Sequence, residues 1–399
     1  MYKIIITLLL LCTVLIQTGC ADNTPQENKV TAITSPFYKV DSNIPTENPD
    51  IPEEIHIKFL AAGDNIIHSN IYEDAFERAR DDTPPYNFYD MYADIEDFVK
   101  SADIAFVNQE TPIAGADYGY SGYPNFNSPN ESGDALVDIG FDIVNIANNH
   151  MLDKWESGLL STIDYWESKD ILLLGAYRNA EDYDNIRVYE EQGVKIAFLS
   201  YTYGTNGMQL TAGSEHIIPL PSDEVITRQI ALAKEVGDLV FVSMHWGEEN
   251  WFQLSDRQKN YAQLMVDLDV DVVIGHHPHV VQPVEWRENT NGHRTLIIYS
   301  LGNMISTMLD SYNMVGGIAT FEIIKDINGD LSIANPLFTP VMCHYNMNRK
   351  GLQVYLLENY SDELVEGHGS QKNGKFTFDK LKSYVTDNID AEFLSDFYK

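Results

Sequence analysis

The sequence predicts an α/β fold with mainly parallel strand pairing, and three observations support this. Short apolar runs rich in β-branched residues recur along the chain. Segments with helical spacing of apolar residues alternate with these runs, as in sheets whose strands pair in parallel. Polar residues of metal-ligand type follow several of the runs. Since open α/β sheets keep their sites at the carboxyl ends of the strands, we expect these residues to share one edge.

The composition is that of an acidic globular protein. The chain has 399 residues, of which 44% are hydrophobic and 22% charged. Twenty-six Lys and Arg against 60 Asp and Glu give a formal net charge of −34, which excludes nucleic acid as a partner. Solubility outside the cell explains most of this charge. A polyanionic substrate would need local compensation, which bound divalent cations supply.

Residues 1–20 have the pattern of a bacterial lipoprotein signal peptide. Lys3 precedes an apolar stretch over residues 4–16 that is too short to span a membrane. Two small residues then precede Cys20, as in a lipobox, so we expect cleavage before Cys20 and lipidation of its thiol. The expected location is the outer face of the bacterial cytoplasmic membrane. An ordinary secretory signal, with a secreted product, is the alternative.

The remaining chain divides into three segments. Residues 21–54 carry five prolines among polar residues and are predicted to be a disordered tether. The main domain is predicted at 55–345, and the more polar residues 346–399 form a C-terminal extension with a terminal helix. With Cys20 lipidated, Cys343 is the remaining thiol of the mature chain, so no internal disulfide is expected.

The elements of the main domain follow from apolar runs and their period. The first strand alternates and then becomes apolar, Ser69 is a candidate N-cap, and Asn328-Gly329 predicts a hairpin turn. The irregular loop at 115–131 is unusually long, which is typical of functional loops. Strands are predicted at 55–62, 104–107, 141–147, 171–175, 194–200, 239–244, 270–274, 295–299, 315–324 and 331–340. Helices are predicted at 69–80, 88–100, 132–139, 156–169, 222–236 and 256–268.

The densest group of candidate ligands is the stretch Gly275-His276-His277-Pro278-His279. It follows a run of β-formers, which indicates a buried strand ending in a turn. Imidazole is the commonest metal ligand, and alternate residues on a Pro-braced loop can direct two rings at one point. The alternative is a polar surface loop.

Oxygen and nitrogen donors also follow four other predicted strands. A mixture of imidazole and carboxylate without thiolate suits Mn²⁺, Fe or Zn²⁺. A central carboxylate can bridge two cations about 3.5–4 Å apart, the spacing of two-metal hydrolytic sites. With the two histidines of the previous stretch included, the donors are Asp64, Asn108, Glu110, Asn149, His150, His245, His277 and His279.

These motifs, taken in order, make the chain resemble the CapA-type capsule synthesis family. That family is associated with poly-γ-glutamate capsule formation and belongs to the calcineurin-like metallophosphoesterase superfamily. The resemblance covers about residues 56–345 and implies a β-sandwich flanked by helices in four α/β/β/α layers, with two metal ions at the strand ends. The motifs are Gly-Asp, Asn-x-Glu, Asn-Asn-His, His-Trp-Gly-x-Glu, Gly-x-His-Pro-His and Tyr-Ser-Leu-Gly-Asn.

The resemblance also implies a role for each matching residue. Glu110 matches the carboxylate that bridges the two ions, and His150 matches the histidine that protonates a leaving group without binding metal. The first motif departs from the usual Asp-x-His, because Asn65 and Ile66 follow the aspartate and His68 stands at a different spacing. The implied metal ligands are Asp64, Glu110, Asn149, His245, His277 and His279.

Six further residues are assigned to the substrate or to the surroundings of the ligands. Strand alternation is expected to direct His276 away from His277. A solvated loop position is an equal alternative for Glu249, and a turn role is the alternative for Asn303. The six are Asn108, His276, Glu249, Tyr203, Asn206 and Asn303.

The expected function is a surface-anchored, divalent-metal-dependent hydrolase or transferase of capsule or poly-γ-glutamate biosynthesis. Its substrate would be an anionic polymer or a phosphorylated envelope precursor. A γ-glutamyl peptide hydrolase is a separate possibility. The alternative is a non-catalytic metal- and polymer-binding subunit of a capsule synthesis or export complex. Expected partners are the polymer, the membrane through the lipid anchor, and subunits of that complex. Analogy of fold does not choose among substrates.

Overall fold

The computed structural model of the protein describes residues 54–80 and 84–399. The predicted signal peptide, the lipidated Cys20 and nearly all of the predicted tether lie outside the described residues. Within the described ranges, no helix combines the length and apolar character needed to cross a membrane.

The strands and helices of the described residues are as follows. The strands are β1 (Ile55–Asn65), β2 (Ile104–Gln109), β3 (Ile143–Asn145), β4 (Leu172–Leu174), β5 (Arg187–Glu191), β6 (Val194–Thr202), β7 (Leu239–His245), β8 (Val272–His276), β9 (Val281–Glu288), β10 (Arg294–Leu301), β11 (Asn303–Ile305), β12 (Val315–Lys325), β13 (Leu331–His344) and β14 (Gln353–Leu356). The helices are α1 (Ser69–Arg78), α2 (Glu96–Lys100), α3 (Asn130–Asp138), α4 (Trp155–Glu167), α5 (Ala180–Asp184), α6 (Asp223–Val236), α7 (Asp256–Asp267), α8 (Asp362–Gly367) and α9 (Phe378–Thr386).

The strands form two mixed sheets. Sheet 1 has the order β14-β13-β12-β1-β2-β3-β4, with β11 beside β1, and sheet 2 has the order β5-β6-β7-β8-β10-β9. Among the described strands, seven pairs are parallel and five antiparallel, so parallel pairing predominates only narrowly. The parallel strands β1, β2 and β3 end at one edge of sheet 1, and β6, β7 and β8 end at one edge of sheet 2.

The two sheets pack face to face over an aromatic core. Phe59 of sheet 1 stacks on Phe321, with ring centroids 4.9 Å apart, and meets Phe241 of sheet 2 edge to face at 5.2 Å. Such pairs add about 0.5–1.5 kcal/mol each beyond their area burial. The inner face of sheet 2 joins this core because alternate residues of its strands point inward.

Helices cover the two outer faces. On sheet 2, α6 and α7 bury Ile230 and Met265 in a second apolar cluster with Val242 and Val273. On sheet 1, α3 and α4 bury their apolar stripes in the main core. The prediction of a β-sandwich flanked by helices in four layers is therefore confirmed.

The predicted helix at 88–100 is mostly irregular. A 3-10 turn covers Tyr89–Met91, and regular helix begins at Glu96. The apolar residues that suggested a helix, among them Met91 and Ile95, are nevertheless fully buried. The spacing of these apolar residues therefore indicates which side of the segment faces the core, although the segment is not a continuous helix. Successive tight turns can place side chains on one side much as a helix does.

Residues 346–399 belong to the same compact unit as the predicted main domain. Strand β14 pairs with β13 at the edge of sheet 1, and Val354 and Leu381 are fully buried in the main core. The predicted terminal helix is present as α9. The thiol of Cys343 is buried, and burial raises its pKa to about 12, so it stays protonated.

Candidate metal centre

The predicted ligands come from facing edges of the two sheets. Sheet 1 supplies Asp64 at the end of β1, Glu110 after β2 and Asn149 after β3. Sheet 2 supplies His245 at the end of β7, and the loop after β8 supplies the rest. All of these side chains are buried, and the distances among them bring the six residues predicted as metal ligands to one place: Asp64, Glu110, Asn149, His245, His277 and His279.

The position of Asp64 is set by close backbone contacts. Its N–H donates to the backbone oxygen of Gly302 at 2.8 Å. A Cβ on the preceding residue, Gly63, would lie 2.2 Å from that same oxygen, so only glycine allows the approach. His277 and His279 have φ angles of +97° and +56°, which are unfavourable for residues with a side chain. This strain is held in the loop that presents both rings.

The first group of donors combines Glu110, His245, His277 and Asn149. One donor atom from each of the first three lies within 4.8 Å of the others. The Nε2 of His245 lies 2.8 Å from Oδ1 of Asn149 and 4.0 Å from Oε1 of Glu110. Carboxylate, imidazole and amide oxygen therefore converge within the reach of one ion.

The second group shares Glu110 and adds Asp64 and His279. Nδ1 of His279 lies 3.2 Å from Oδ2 of Asp64, and its Nε2 lies 3.6 Å from Oε1 of Glu110. Because Glu110 belongs to both groups, its carboxylate stands where a bridge between two ions would stand.

Charges in the centre are incompletely compensated. Both carboxylate oxygens of Glu110 are buried and accept no hydrogen bond, and burial raises the pKa of this group well above its ordinary value. Burial alone would raise the pKa of Asp64, but hydrogen bonds and charge from His276 and His279 outweigh it and hold the pKa well below its ordinary value. An unpaired buried carboxylate costs several kcal/mol unless a cation accompanies it.

The histidines differ in protonation. Burial lowers the pKa of His245 well below its ordinary value, and burial with the charge of His279 lowers the pKa of His277 to about 3. Both rings are therefore neutral at pH 7, the form that binds metal. Burial opposes protonation of His279, but the charges of Glu110 and Asp64 prevail and raise its pKa to about 9. Its imidazolium lies beside the Asp64 carboxylate and the Glu110 carboxyl group, in the place that a cation would take, so the donor set fits divalent metal ions.

His150 lies beside this centre in a different setting. Its Nδ1 is 2.8 Å from Oδ2 of Asp153, and both side chains are buried. Phe126, from the irregular loop predicted to be functional, packs edge-on against the His150 ring at 4.8 Å and donates its N–H to Asp153. Asp153 was not predicted, since nothing in its sequence context distinguishes it from the other acidic residues.

The residues assigned to the surroundings contact the ligands directly. Nδ2 of Asn108 donates to Asp64 at 2.8 Å, and Nδ1 of His276 lies 3.2 Å from the same oxygen. Oδ1 of Asn303 lies 3.0 Å from Nδ1 of His279. These contacts orient the Asp64 and His279 side chains, as outer partners of metal ligands do.

Three other assigned residues line the open side. The Tyr203 ring packs against His277 with centroids 4.6 Å apart, and Asn206 accepts a hydrogen bond from Nδ2 of Asn149 at 3.2 Å. A carboxylate oxygen of Glu249 lies within 4.8 Å of donor atoms of His277 and His279, and Glu249 is exposed.

The departure in the first motif has structural consequences. Asn65 turns away from the centre, because its side chain donates to Gln109 at 2.6 Å and accepts from the Tyr92 hydroxyl at 2.7 Å. The N-cap of α1 is His68, so the prediction of Ser69 as the N-cap is wrong, and Nδ1 of His68 accepts the N–H of Thr307 at 3.3 Å. His68 belongs to no group of His and acidic donors among the described residues.

Comparison with known proteins identifies relatives of one kind. The family model described as "Bacterial capsule synthesis protein PGA_cap" matches residues 58–308, more than half of the chain. The chain is 32% identical over 227 residues to the capsule biosynthesis protein CapA of Bacillus anthracis, covering 54% of this chain and 53% of that protein. It is also 32% identical over 216 residues to the PGA biosynthesis protein CapA of Bacillus subtilis (strain 168), covering 54% of each. The chain thus spans about half the length of the curated relatives it matches.

Solved structures give a more distant likeness. The NAD nucleotidase of Haemophilus influenzae aligns over 86% of this chain and 65% of its own length, with 13% sequence identity and a TM-score of 0.45.

Proposed function

Because the chain belongs to the bacterial capsule synthesis protein family PGA_cap, we propose that it is a metal-dependent hydrolase or transferase of capsule biosynthesis. Its substrate is an anionic polymer of the poly-γ-glutamate type or a phosphorylated envelope precursor. The ions are two divalent cations, of Mn, Fe or Zn, held by Asp64, Glu110, Asn149, His245, His277 and His279.

The observation that carries this proposal is the buried carboxylate of Glu110, which lacks hydrogen bonds. It is buried at the junction of the two donor groups and accepts no hydrogen bond. A buried carboxylate without partners is retained where a cation compensates it. When bound, a pair of cations supplies positive charge to the phosphoryl or carbonyl group under attack.

The chain's own residues supply orientation and a proton. Asp153 accepts the Nδ1–H of His150, which leaves Nε2 of that ring free to face a substrate. A histidine fixed in this way can donate its Nε2 proton to a leaving oxygen or nitrogen as general acid. Tyr203 packs against the His277 ring, and Asn206 accepts a hydrogen bond from Asn149, so both residues border the candidate metal centre.

A second candidate function rests on the first motif. With Asn65 turned away and no histidine at position 66, the group of Asp64, Glu110 and His279 provides three protein ligands. A weakly held second ion would favour a subunit that binds metal and polymer within a synthesis or export complex without turnover. Partners of this kind are the polymer and membrane subunits of the complex.

The proposal is tested by metal content and turnover together. We expect the purified protein to retain two divalent ions per chain and to hydrolyse a chromogenic phosphodiester or γ-linked polyglutamate. His277→Ala removes a donor of the first group, so its activity should fall at least about 100-fold with loss of an ion. His293→Ala, in the β9–β10 turn at the opposite end of sheet 2, is the control and should match wild type. Metal binding without turnover of either substrate would favour the second candidate.

We further propose that Cys20 carries the lipid that anchors the protein to the outer face of the cytoplasmic membrane. The support is the signal pattern of residues 1–20. In cells expressing the full chain, Cys20→Ser is expected to move most of the protein from the membrane fraction to the soluble fraction. Cys343→Ser, which changes a buried thiol, should leave fractionation unchanged. Equal membrane association of wild type and Cys20→Ser would contradict the anchor and favour a secreted protein.

A further inference from the structure

The second donor group lacks a ligand that the first motif usually provides. Asp64, Glu110 and His279 approach one another, yet the position two residues after the aspartate is Ile66. Divalent ions of this type take four or more donors. A further donor must therefore come from elsewhere if two ions are held with comparable affinity.

Glu249 reaches this place from the loop after β7. One of its carboxylate oxygens and one ring nitrogen each of His277 and His279 all lie within 4.8 Å of one another. Donors at about 2.2 Å on opposite sides of one ion lie about 4.4 Å apart. An upper limit of 4.8 Å is slightly wider than this, so a small rotation of the exposed Glu249 side chain would bring the three donors onto one ion.

The two histidines in this group point to a ligand independently. His277 and His279 are 3% and 5% exposed, and Nδ1 of His277 has no hydrogen-bond partner. His279 also belongs to the group with Asp64 and Glu110. The Glu249 carboxylate therefore faces a buried, unsatisfied donor and a residue that already lies at the incomplete ion position.

The loop that carries this carboxylate is tied to the histidine loop on both sides. The N–H of Trp246 donates to the backbone oxygen of His276 at 3.1 Å, and the N–H of Asn250 donates to that of Pro278 at 2.8 Å. Asn313 holds the side chain of Asn250 at 2.7 Å. Hydrogen bonds thus join the two loops on either side of Glu249. They fix the backbone of Glu249 relative to the backbone that carries the His277 and His279 rings.

Charge also argues for this arrangement. An acidic side chain at the mouth of a centre that already contains Asp64 and Glu110 would repel an anionic substrate by itself. With two divalent ions bound, their four positive charges exceed the three negative charges of Asp64, Glu110 and Glu249, so the centre as a whole stays positive. An exposed carboxylate at residue 249 is therefore compatible with an anionic substrate if Glu249 binds a metal ion.

We infer that Glu249 is a metal ligand that completes the ion position left open by the first motif. This inference rests on the proposed function, since it assumes that the centre holds two ions. It assigns to the His-Trp-Gly-x-Glu motif two donors, one at each end: His245 for the first ion position and Glu249 for the second.

The test is Mn²⁺ binding to the metal-stripped full-length protein, measured by titration calorimetry and by direct metal analysis. Wild type is expected to bind two ions. Glu249→Gln should bind one ion as wild type does and bind the second about tenfold to 100-fold more weakly. Glu248→Gln removes the same charge from the adjacent exposed residue and is expected to retain both affinities. Thermal unfolding of the metal-free proteins checks that all three are equally folded.

Three results would contradict the inference, and the binding data distinguish them from one another. Two ions bound by Glu249→Gln with unchanged affinities would leave the proposed function standing and remove Glu249 as a ligand. Equal weakening by Glu248→Gln and Glu249→Gln would show a general effect of charge rather than ligation. Absence of any bound ion in wild type would remove the proposed function and the inference together.

Discussion

The Glu110→Gln variant is expected to be more stable than wild type when metal is absent and to gain no stability when Mn²⁺ is added. The carboxylate of Glu110 is buried and accepts no hydrogen bond, so removing its charge relieves a cost of about 1–3 kcal/mol or more. Wild type should gain about 2.7 kcal/mol when free Mn²⁺ reaches 100 times its dissociation constant. Denaturant unfolding at pH 8, with chelator and with Mn²⁺, measures both differences. Turnover by the variant should be lost.

A second buried carboxylate provides the matched control. Asp74 accepts hydrogen bonds from the N–H groups of Gly351 and Leu352 and from Arg78, at 2.9–3.0 Å. Asp74→Asn should therefore lower stability and leave the response to Mn²⁺ unchanged. If Glu110→Gln destabilises the metal-free protein as Asp74→Asn does, the Glu110 carboxylate has partners in the folded state and the main support for the metal centre is lost.

His150→Ala is expected to lower the turnover number about 10²–10⁴-fold, the usual contribution of a general acid, while both ions are retained. Nδ1 of His150 is committed to Asp153, and the residue is outside the donor groups of the described residues. Asp153→Asn should give a smaller loss, because the ring remains but is held less well. Steady-state kinetics with metal analysis of the same samples separates the two roles.

A histidine far from the candidate metal centre provides the control for His150→Ala. His56→Ala changes an exposed histidine near the start of β1, at the other end of the strand from the centre, and should behave as wild type. Loss of an ion in His150→Ala would make His150 a ligand. Turnover equal to wild type with both ions present would exclude it as the proton donor.

Most of the strands that could be predicted from the sequence lie in the interior of a sheet, the edge strand β4 being an exception. The apolar run predicted at 194–200 is β6, Val194–Thr202, within the interior of sheet 2. Three strands that the prediction missed, β5, β9 and β14, lie at sheet edges. An edge strand faces solvent along one side and tolerates charge and proline, as in the Pro283 region of β9, so it lacks the apolar run that marks an interior strand.

The site could be predicted where ligand residues directly follow strands. His245 and Glu110 stand at strand ends, and the order of strands in a sheet then brings such positions together. Asp153 could not be found this way, because its contact with His150 depends on the turn after β3 and on Phe126 from a distant loop. The contact between His276 and Asp64 likewise depends on how the two sheets face each other, which residue spacing does not encode.

The direction of β1 bears on how the protein can be handled. The chain enters this strand at Ile55 and reaches Asp64 near its other end, and eleven extended residues span about 33 Å. An affinity tag, or a solid support coupled ahead of Ile55, is therefore joined at the end of β1 remote from the candidate metal centre. Beads or sensor chips loaded in this way leave that centre accessible to long polymer chains, which makes immobilised protein suitable for direct measurements of polymer capture.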